Sequence, residues 1–306
     1  MEPRAKTTSD TDNDIVVSRL INAPRELVYK ACTIPEQMAQ WWGPFGFTNP
    51  VCELDVRVGG KWRVEQKGPD GNIYKFGGVY KELIKNVRIV WTFKFEGVPA
   101  SESLGILEFE DKNGKTLVTV TTRLKTIEEK EGMMKYGAKM GTEQSYERLE
   151  NFLLGNPTIN REMNITRVIN APRELVFEAF TKPEHIKEWW GPRGFTNTIN
   201  KMEFKNGGEW DLVMHGPDGK DFPNTHYFTE IIPNEKIVMR HATNPKFQLT
   251  FSFIPQGDDK TMLNVRSLFE SAEVLKLAKE VFKADVGLVQ NIDKLEEYVY
   301  KMKSKN

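Results

Sequence analysis

Residues 21–49 read INAPRELVYKACTIPEQMAQWWGPFGFTN, and residues 169–197 read INAPRELVFEAFTKPEHIKEWWGPRGFTN; 20 of the 29 positions are identical. The copies stand 148 positions apart, and the same offset carries Gly59-Gly60 onto Gly207-Gly208 and Trp62 onto Trp210. It also carries Gly68-Pro69-Asp70-Gly71 onto Gly216-Pro217-Asp218-Gly219 and Ile89-Val90 onto Ile237-Val238. Two copies of roughly 145 residues each are domain-sized, too long for the unit of a solenoid. The chain is a tandem duplication of one domain.

Bulk composition narrows the classes. Over 306 residues, 43 Lys plus Arg balance 43 Asp plus Glu. Zero formal charge argues against nucleic acid or an anionic membrane surface as partner. The two cysteines, Cys32 and Cys52, both lie in the first copy, and Phe180 and Asn200 replace them in the second. A framework disulfide would recur in both copies, so two free thiols in a reducing compartment are expected. No apolar run approaches the ~18 residues of a membrane span. The polar start MEPRAKTTSDTDND has no signal-peptide core. A cytoplasmic location is expected.

Taken in order, residues 1–13 have the composition of a disordered tail. Residues 14–155 form the first domain, 156–160 a linker around Gly155-Asn156-Pro157-Thr158, and 161–306 the second domain. Asp14–Ile21 reads as a strand, and Asn22-Ala23-Pro24 as the start of a short helix with Pro24 in its first turn. Thr33 and Pro35 open a second helix that Gly43-Pro44 ends. Hydrophobic alternation then predicts about six antiparallel strands. Among them, Val51–Val58 and Lys61–Lys67 are expected to join through a two-residue turn at Gly59-Gly60. A single long helix is expected to close each copy, over Glu128–Leu154 and Ser271–Met302. Gly137 and Gly141 cost such a helix ~1 kcal/mol each, which points to close approach of another element. The first copy carries extra residues near Glu96–Ser103.

This order resembles the α+β helix-grip fold of the START-like superfamily, also called SRPBCC. More narrowly, it resembles the domain family of activator homologues of the heat-shock-protein-90 ATPase. The resemblance rests on Ala23-Pro24, Val28, Thr33, Pro35 and Trp41-Trp42-Gly43-Pro44, and on Ala171-Pro172, Val176, Thr181, Pro183 and Trp189-Trp190-Gly191-Pro192. It implies two domains, each a curved antiparallel sheet of about seven strands around a long C-terminal helix, commonly enclosing an apolar cavity. Superfamily members bind lipids, hormones or polyketides, and a few catalyse cyclisation or dehydration. The chain departs from the family where the glycine of the closing helix is followed by Thr142 or Leu288 rather than Trp. Nothing in these 306 residues resembles the separate amino-terminal domain of the eukaryotic co-chaperones.

Candidate site residues follow from the Trp pairs and the period-two faces. In each pair, Trp41-Trp42 and Trp189-Trp190, one ring is expected to plug the core, while the other is open to ligand stacking. The candidate lining of the first copy is Trp62, Val64, Ile89, Trp91, Phe93, Leu107, Phe109, Val118, Val120 and Thr122. That of the second is Trp210, Leu212, Ile237, Met239, His241, Leu249, Phe251, Leu263, Val265 and Ser267. An ordinary filled core is the competing reading of both faces. His241, replacing Phe93, either orients a polar ligand group or is a hydrogen-bonded core histidine. Glu82 and Glu230 either face the interior as acids or pair at the rim. No metal-ligand spacing, nucleophile elbow or phosphate loop occurs, so no catalytic residue, metal or cofactor is expected. The leading expectation is non-enzymatic binding of a small apolar molecule in one or both domains. A chaperone or other protein as partner is the alternative, and a cyclase- or hydrolase-type enzyme the second alternative.

Overall fold

Each copy builds a seven-stranded, wholly antiparallel sheet closed by helices. The computed structural model describes residues 12–96, 102–156, 158 and 160–304. The chain divides into two units, residues 1–157 and 158–306. Of the expected tail only residues 12 and 13 are described, and the extra residues 97–101 lie outside the described part.

The first unit runs β1 (Asp14–Ile21), α1 (Arg25–Thr33), α2 (Pro35–Trp41), β2 (Thr48–Leu54), β3 (Lys61–Lys67), β4 (Ile73–Ile84), β5 (Arg88–Phe95), β6 (Glu102–Lys112), β7 (Lys115–Arg123), α3 (Ile127–Lys135) and α4 (Ala138–Leu153). Its sheet order is β1-β7-β6-β5-β4-β3-β2, so the first strand returns beside the last. The second unit repeats the series as β8 (Glu162–Ile169), α5 (Arg173–Glu178), α6 (Pro183–Trp189), β9 (Thr196–Met202), β10 (Glu209–His215), β11 (Asp221–Ile232), β12 (Lys236–His241), β13 (Phe247–Pro255), β14 (Thr261–Phe269), α7 (Ala272–Phe282) and α8 (Ala284–Lys303). Its order is β8-β14-β13-β12-β11-β10-β9. These are two α+β helix-grip domains.

Alternation decides which sheet face is covered. In β3, Trp62, Val64 and Gln66 are buried and the residues between them are not. The covered face of the first sheet packs on Val28, Ala31 and Cys32 of α1, Trp41 of α2, and Tyr146 and Leu149 of α4. In the second unit Val176, Ile186, Trp189, Ile292, Leu295 and Val299 take that part.

Three local expectations are corrected. Pro24 sits at the N-cap of α1, one place before the first turn, with its carbonyl accepting from Leu27 and Val28. The Gly59-Gly60 pair is not a two-residue turn. β2 ends at Leu54, and residues 55–60 form a longer connection in which Gly59 N donates to Tyr80 O at 2.8 Å. The closing helix is broken in both units. Gly137 (φ 73°) and Lys283 (φ 51°) adopt left-handed conformations that end one helix and begin the next. Glycine takes that conformation without strain, which explains Gly137 better than close approach does.

The break produces a difference between the units. α7 buries Leu275 and Ala278 against Phe269, with Phe247 packed beside them. α3 buries no residue.

Candidate functional site

The repeated tryptophan–glycine–proline turn docks onto the closing helix. Trp41 Nε1 donates to Ala31 O and Trp189 Nε1 to Ala179 O, both at 2.9 Å, so each ring ties one short helix to the other. The turn then crosses the helix at a glycine. A Cβ on Gly141 would lie 3.3 Å from Pro44 Cγ, and one on Gly287 3.3 Å from Pro192 Cγ. Gly43 N donates to Ser145 Oγ, and Arg148 Nη1 donates to Gly43 O and Pro44 O at 2.8 Å each. In the second unit Asn291 Oδ1 accepts from Gly191 N, and Lys294 Nζ donates to Gly191 O. Burial pushes the Arg148 pKa down to about 10, which leaves it charged at neutral pH. The motif holds the fold's end shut.

The two Trp pairs do not behave alike. Trp41 is buried and Trp42 half-buried, as one plugging ring per pair requires. In the second unit both Trp189 and Trp190 are buried, which corrects the expected split. Trp190 packs edge-on to Trp189 and Trp210 with centroids 5.4 and 4.7 Å away. The aromatic neighbours at its own end of the sheet are what complete its burial.

The structure brings the candidate linings together inside their own units. Trp62, Val64, Ile89, Leu107, Phe109, Val118 and Val120 belong to the first core, with Trp91 and Phe93 partly buried against it; Thr122 is half-buried. Trp210, Leu212, Ile237, Met239, Leu249, Phe251, Leu263 and Val265 belong to the second core. His241 and Ser267 are buried too.

Comparing the units position by position reveals what differs. In the register of β5 with β6, Phe93 faces Ser103; in that of β12 with β13, His241 faces Phe247. Phe247 stacks on His241 at 4.6 Å and packs tilted against Phe269 at 5.0 Å, and α7 lies over that end. In the second unit this part of the sheet is therefore covered by Phe247, Phe269 and α7. The first has Ser103 there and an α3 that buries nothing, so Trp42, Phe76, Trp91, Phe93 and Phe95 stay half-buried. Phe76 contacts Trp42, Phe93 and Phe95 at 5.3, 5.5 and 5.2 Å.

His241 is engaged by protein on both ring nitrogens. Nδ1 lies 2.8 Å from Pro245 O, and Nε2 lies 2.8 Å from Asn224 Oδ1 and 2.9 Å from the Thr243 hydroxyl. Asn224, His241 and Thr243 stand where the first unit has Phe76, Phe93 and Phe95. A hydrogen-bonded trio replaces a trio of rings. Burial lowers the His241 pKa, opposed by its bonds at Pro245 and Thr243.

Four polar residues of the first interior escape period-two reading: Tyr29 and Cys32 on α1, Tyr80 on β4 and Tyr146 on α4. Their counterparts are Phe177, Phe180, Phe228 and Ile292. Laying one copy on the other would have revealed the first three; the fourth needs the closing helices aligned through Gly141 and Gly287. His226 likewise stands at the 148-residue offset from Gly78 and carries no period-two signal of its own.

The remaining candidates are surface or neutral groups. Glu82 Oε1 is 3.8 Å from Arg88 Nε and Glu230 Oε2 is 2.8 Å from Lys236 Nζ, and both carboxylates are partly exposed. They pair at the rim. Cys32 and Cys52 are free thiols. Burial pushes Cys32 far up, and burial with nearby Glu36 and Glu53 pushes Cys52 up to about 11. A cleft of about 540 Å³ on the second unit lies among Arg167, Arg193, Asp293, Glu296, Glu297, Tyr300 and Lys301. It gathers none of the candidates, and Arg167 is paired with Asp293 and Glu296 and Arg193 with Glu297. No helix among the described residues is long and apolar enough to cross a membrane.

The family model described as Activator of Hsp90 ATPase homolog 1-like protein matches residues 22–153 and again residues 170–300. No curated protein matches the chain. Among solved structures, a protein from Nitrosomonas europaea is 23% identical over 48% of this chain and 97% of its own, with a TM-score of 0.44. One from Chromobacterium violaceum is 28% identical over 45% of this chain and 95% of its own, with a TM-score of 0.40. The di-domain ARO/CYC BexL from the BE-7585A biosynthetic pathway is 13% identical over 94% of this chain and 97% of its own, with a TM-score of 0.41. None of these likenesses says what the chain binds.

Proposed function

Since this chain belongs, through both of its halves, to the family of Activator of Hsp90 ATPase homolog 1-like proteins, we propose that it binds a small, largely apolar molecule without transforming it. The first helix-grip domain is the one that takes the ligand. One observation carries this reading: the end that Phe247, Phe269, Leu275 and Ala278 plug in the second domain has no such plug in the first among the described residues. Half-buried rings at that end offer stiff apolar area to an entering molecule. The second domain, filled by its own side chains, supports the fold.

Absence of a reaction is favoured by the chemistry of the first interior. The first half of the chain contains no histidine. Glu82 is turned to Arg88 at the surface. Cys32 is held as a neutral thiol by burial, and thiolate is the nucleophilic form. The two free thiols suit the reducing cytoplasm. Binding to a chaperone ATPase is the second reading, and it rests on the family's description alone.

The test is a native mass spectrum of the purified chain, followed by titration with 1-anilinonaphthalene-8-sulfonate. Ser103→Phe installs the residue that plugs the second domain and should abolish probe binding. Phe247→Ala, made in the second domain, should leave that binding site untouched. Undiminished binding to Ser103→Phe would sink the assignment to the first domain.

A further inference from the structure

Helix α7 is apolar over more of its surface than it buries. At about 100° per residue, Leu277, Val281, Val274, Ala278, Phe282 and Leu275 follow one another across an arc of roughly 160°. Leu275 and Ala278 pack on Phe269, with Val274 beside them. Leu277 and Val281 lie at one edge of the arc and Phe282 ends the helix; they are 51%, 59% and 51% exposed. The stripe continues past the break at Lys283. Val286 and Val289, one turn apart on α8, are 52% and 44% exposed.

Among the described residues of the second unit seven large apolar side chains are exposed, and these five crowd into positions 277–289. The fold does not ask for them. Aligned through Gly141 and Gly287, the first unit has Glu131, Lys135, Tyr136, Met140 and Glu143 in their places. Three of those five are charged, yet the closing helix breaks at the same point, with Gly137 for Lys283. An exposed apolar stripe that packing does not require marks a contact surface.

We propose that the α7–α8 stripe is the interface through which two copies of this chain pair about a two-fold axis, their α7 helices antiparallel. The charges around the stripe select that partner. Over positions 271–291, Glu273, Glu280 and Asp285 balance Lys276, Lys279 and Lys283. A helix that lies on an anionic membrane carries a surplus of cations on its polar face, and here the signs cancel. A rim of mixed sign is complementary to itself when reversed, as a two-fold contact requires. Lys276 and Glu280 stand one turn apart beside the stripe, both exposed, 3.9 Å from each other. Antiparallel packing sets Lys276 of each copy beside Glu280 of the other. The size agrees as well. Five half-exposed side chains supply an apolar centre on the order of a few hundred Å², and with their charged rim they approach the roughly 800 Å² per partner of a stable interface. Because the equivalent positions of the first domain lack the stripe, pairing closes at two copies and does not propagate.

Sedimentation equilibrium of the full chain tests the proposal. Wild type should approach twice its chain mass of 35.2 kDa at micromolar concentration. Val281→Glu, at a position already 59% exposed, should weaken pairing about thirtyfold or more, the loss expected at the centre of an interface. Its far-ultraviolet circular dichroism should stay that of wild type. Ile232→Glu, exposed in the same unit but outside the stripe, should pair as wild type does. Glu280→Lys should weaken pairing, and Lys276→Glu/Glu280→Lys should restore it. A wild type that stays monomeric above about 100 µM, too weak for a specific dimer, overturns the proposal, as does a dimer that Val281→Glu leaves intact. Pairing that Glu280→Lys leaves unchanged overturns the antiparallel two-fold. Flotation of a monomeric wild type with phosphatidylcholine vesicles, lost in Val281→Glu, replaces the second copy by a lipid surface.

Discussion

The imidazole of His226 lies stacked on the indole of Trp210, ring centroids 4.9 Å apart and planes 26° apart, and each ring leaves a buried nitrogen unpaired. The first domain shows why. There Gly78 takes the place of His226, and Trp62 Nε1 donates to Thr92 O at 3.1 Å. A Cβ on Gly78 would stand 1.8 Å from that oxygen and 2.8 Å from that nitrogen. The indole–carbonyl bond and a side chain at this position exclude each other.

Protonation of His226 is accordingly opposed, first by burial and then by neighbouring His241, which together hold its pKa well below 6.5. In the unfolded chain histidine takes its proton near 6.5. The neutral ring's contribution is therefore complete above pH 6.5 and is lost as pH falls towards the folded pKa, by at most ~1.4 kcal/mol per pH unit. Hydrogen exchange should show amide protection of β11 and β12 falling between pH 7 and 5.5. Strands of the first half, which has no histidine, should hold theirs. His226→Phe should flatten the response. Protection in β11 and β12 that ignores pH in the wild type would mean that His226 is not held neutral.

Tryptophan truncations should follow burial and not sequence position. Trp41→Ala, Trp189→Ala and Trp190→Ala each remove a buried ring and should cost ~3–5 kcal/mol. Trp42 is half-buried, so Trp42→Ala should cost clearly less. Urea melts of the four variants provide the comparison. A Trp190→Ala variant as mild as Trp42→Ala would show that the second interior is looser than its ring contacts indicate.

Thiol chemistry reports on the first interior. With Cys52 raised to about 11 and Cys32 higher still, both should react slowly with dithiobis-nitrobenzoate at pH 8, Cys52 before Cys32. Guanidinium should release two thiols. Reaction of Cys32 at the speed of a free thiol would show that the interior opens far more than this packing allows.

Much of the fold could be read from the repeated stretch and the strands after it. Period-two alternation in Lys61–Lys67 gave the inward set Trp62 and Val64 correctly, because a strand sends successive side chains to opposite faces. Each closing helix, continuous by its apolar spacing, is two helices in the structure. Gly137 could have marked the break, but nothing in the sequence marks Lys283, which takes a left-handed conformation that non-glycine residues adopt uncommonly. Glu82 and Glu230 could not be oriented from their strands, since both faces there carry apolar residues; the structure pairs them at the surface.

Sequence by itself determined the duplication, the order of elements and the inward faces of the strands, because these depend on spacing along one chain. Tertiary structure alone decided that α7 covers Phe247 in the second unit while α3 buries no described residue in the first, since Ser103 and Phe247 matter only through what the neighbouring strand and helix bring opposite them. It also decided that His241 is held on both ring nitrogens while His226 Nδ1 is left unpaired. A polar group's partner is fixed by distance in space, and Asn224 and Pro245 reach His241 only once the sheet has closed.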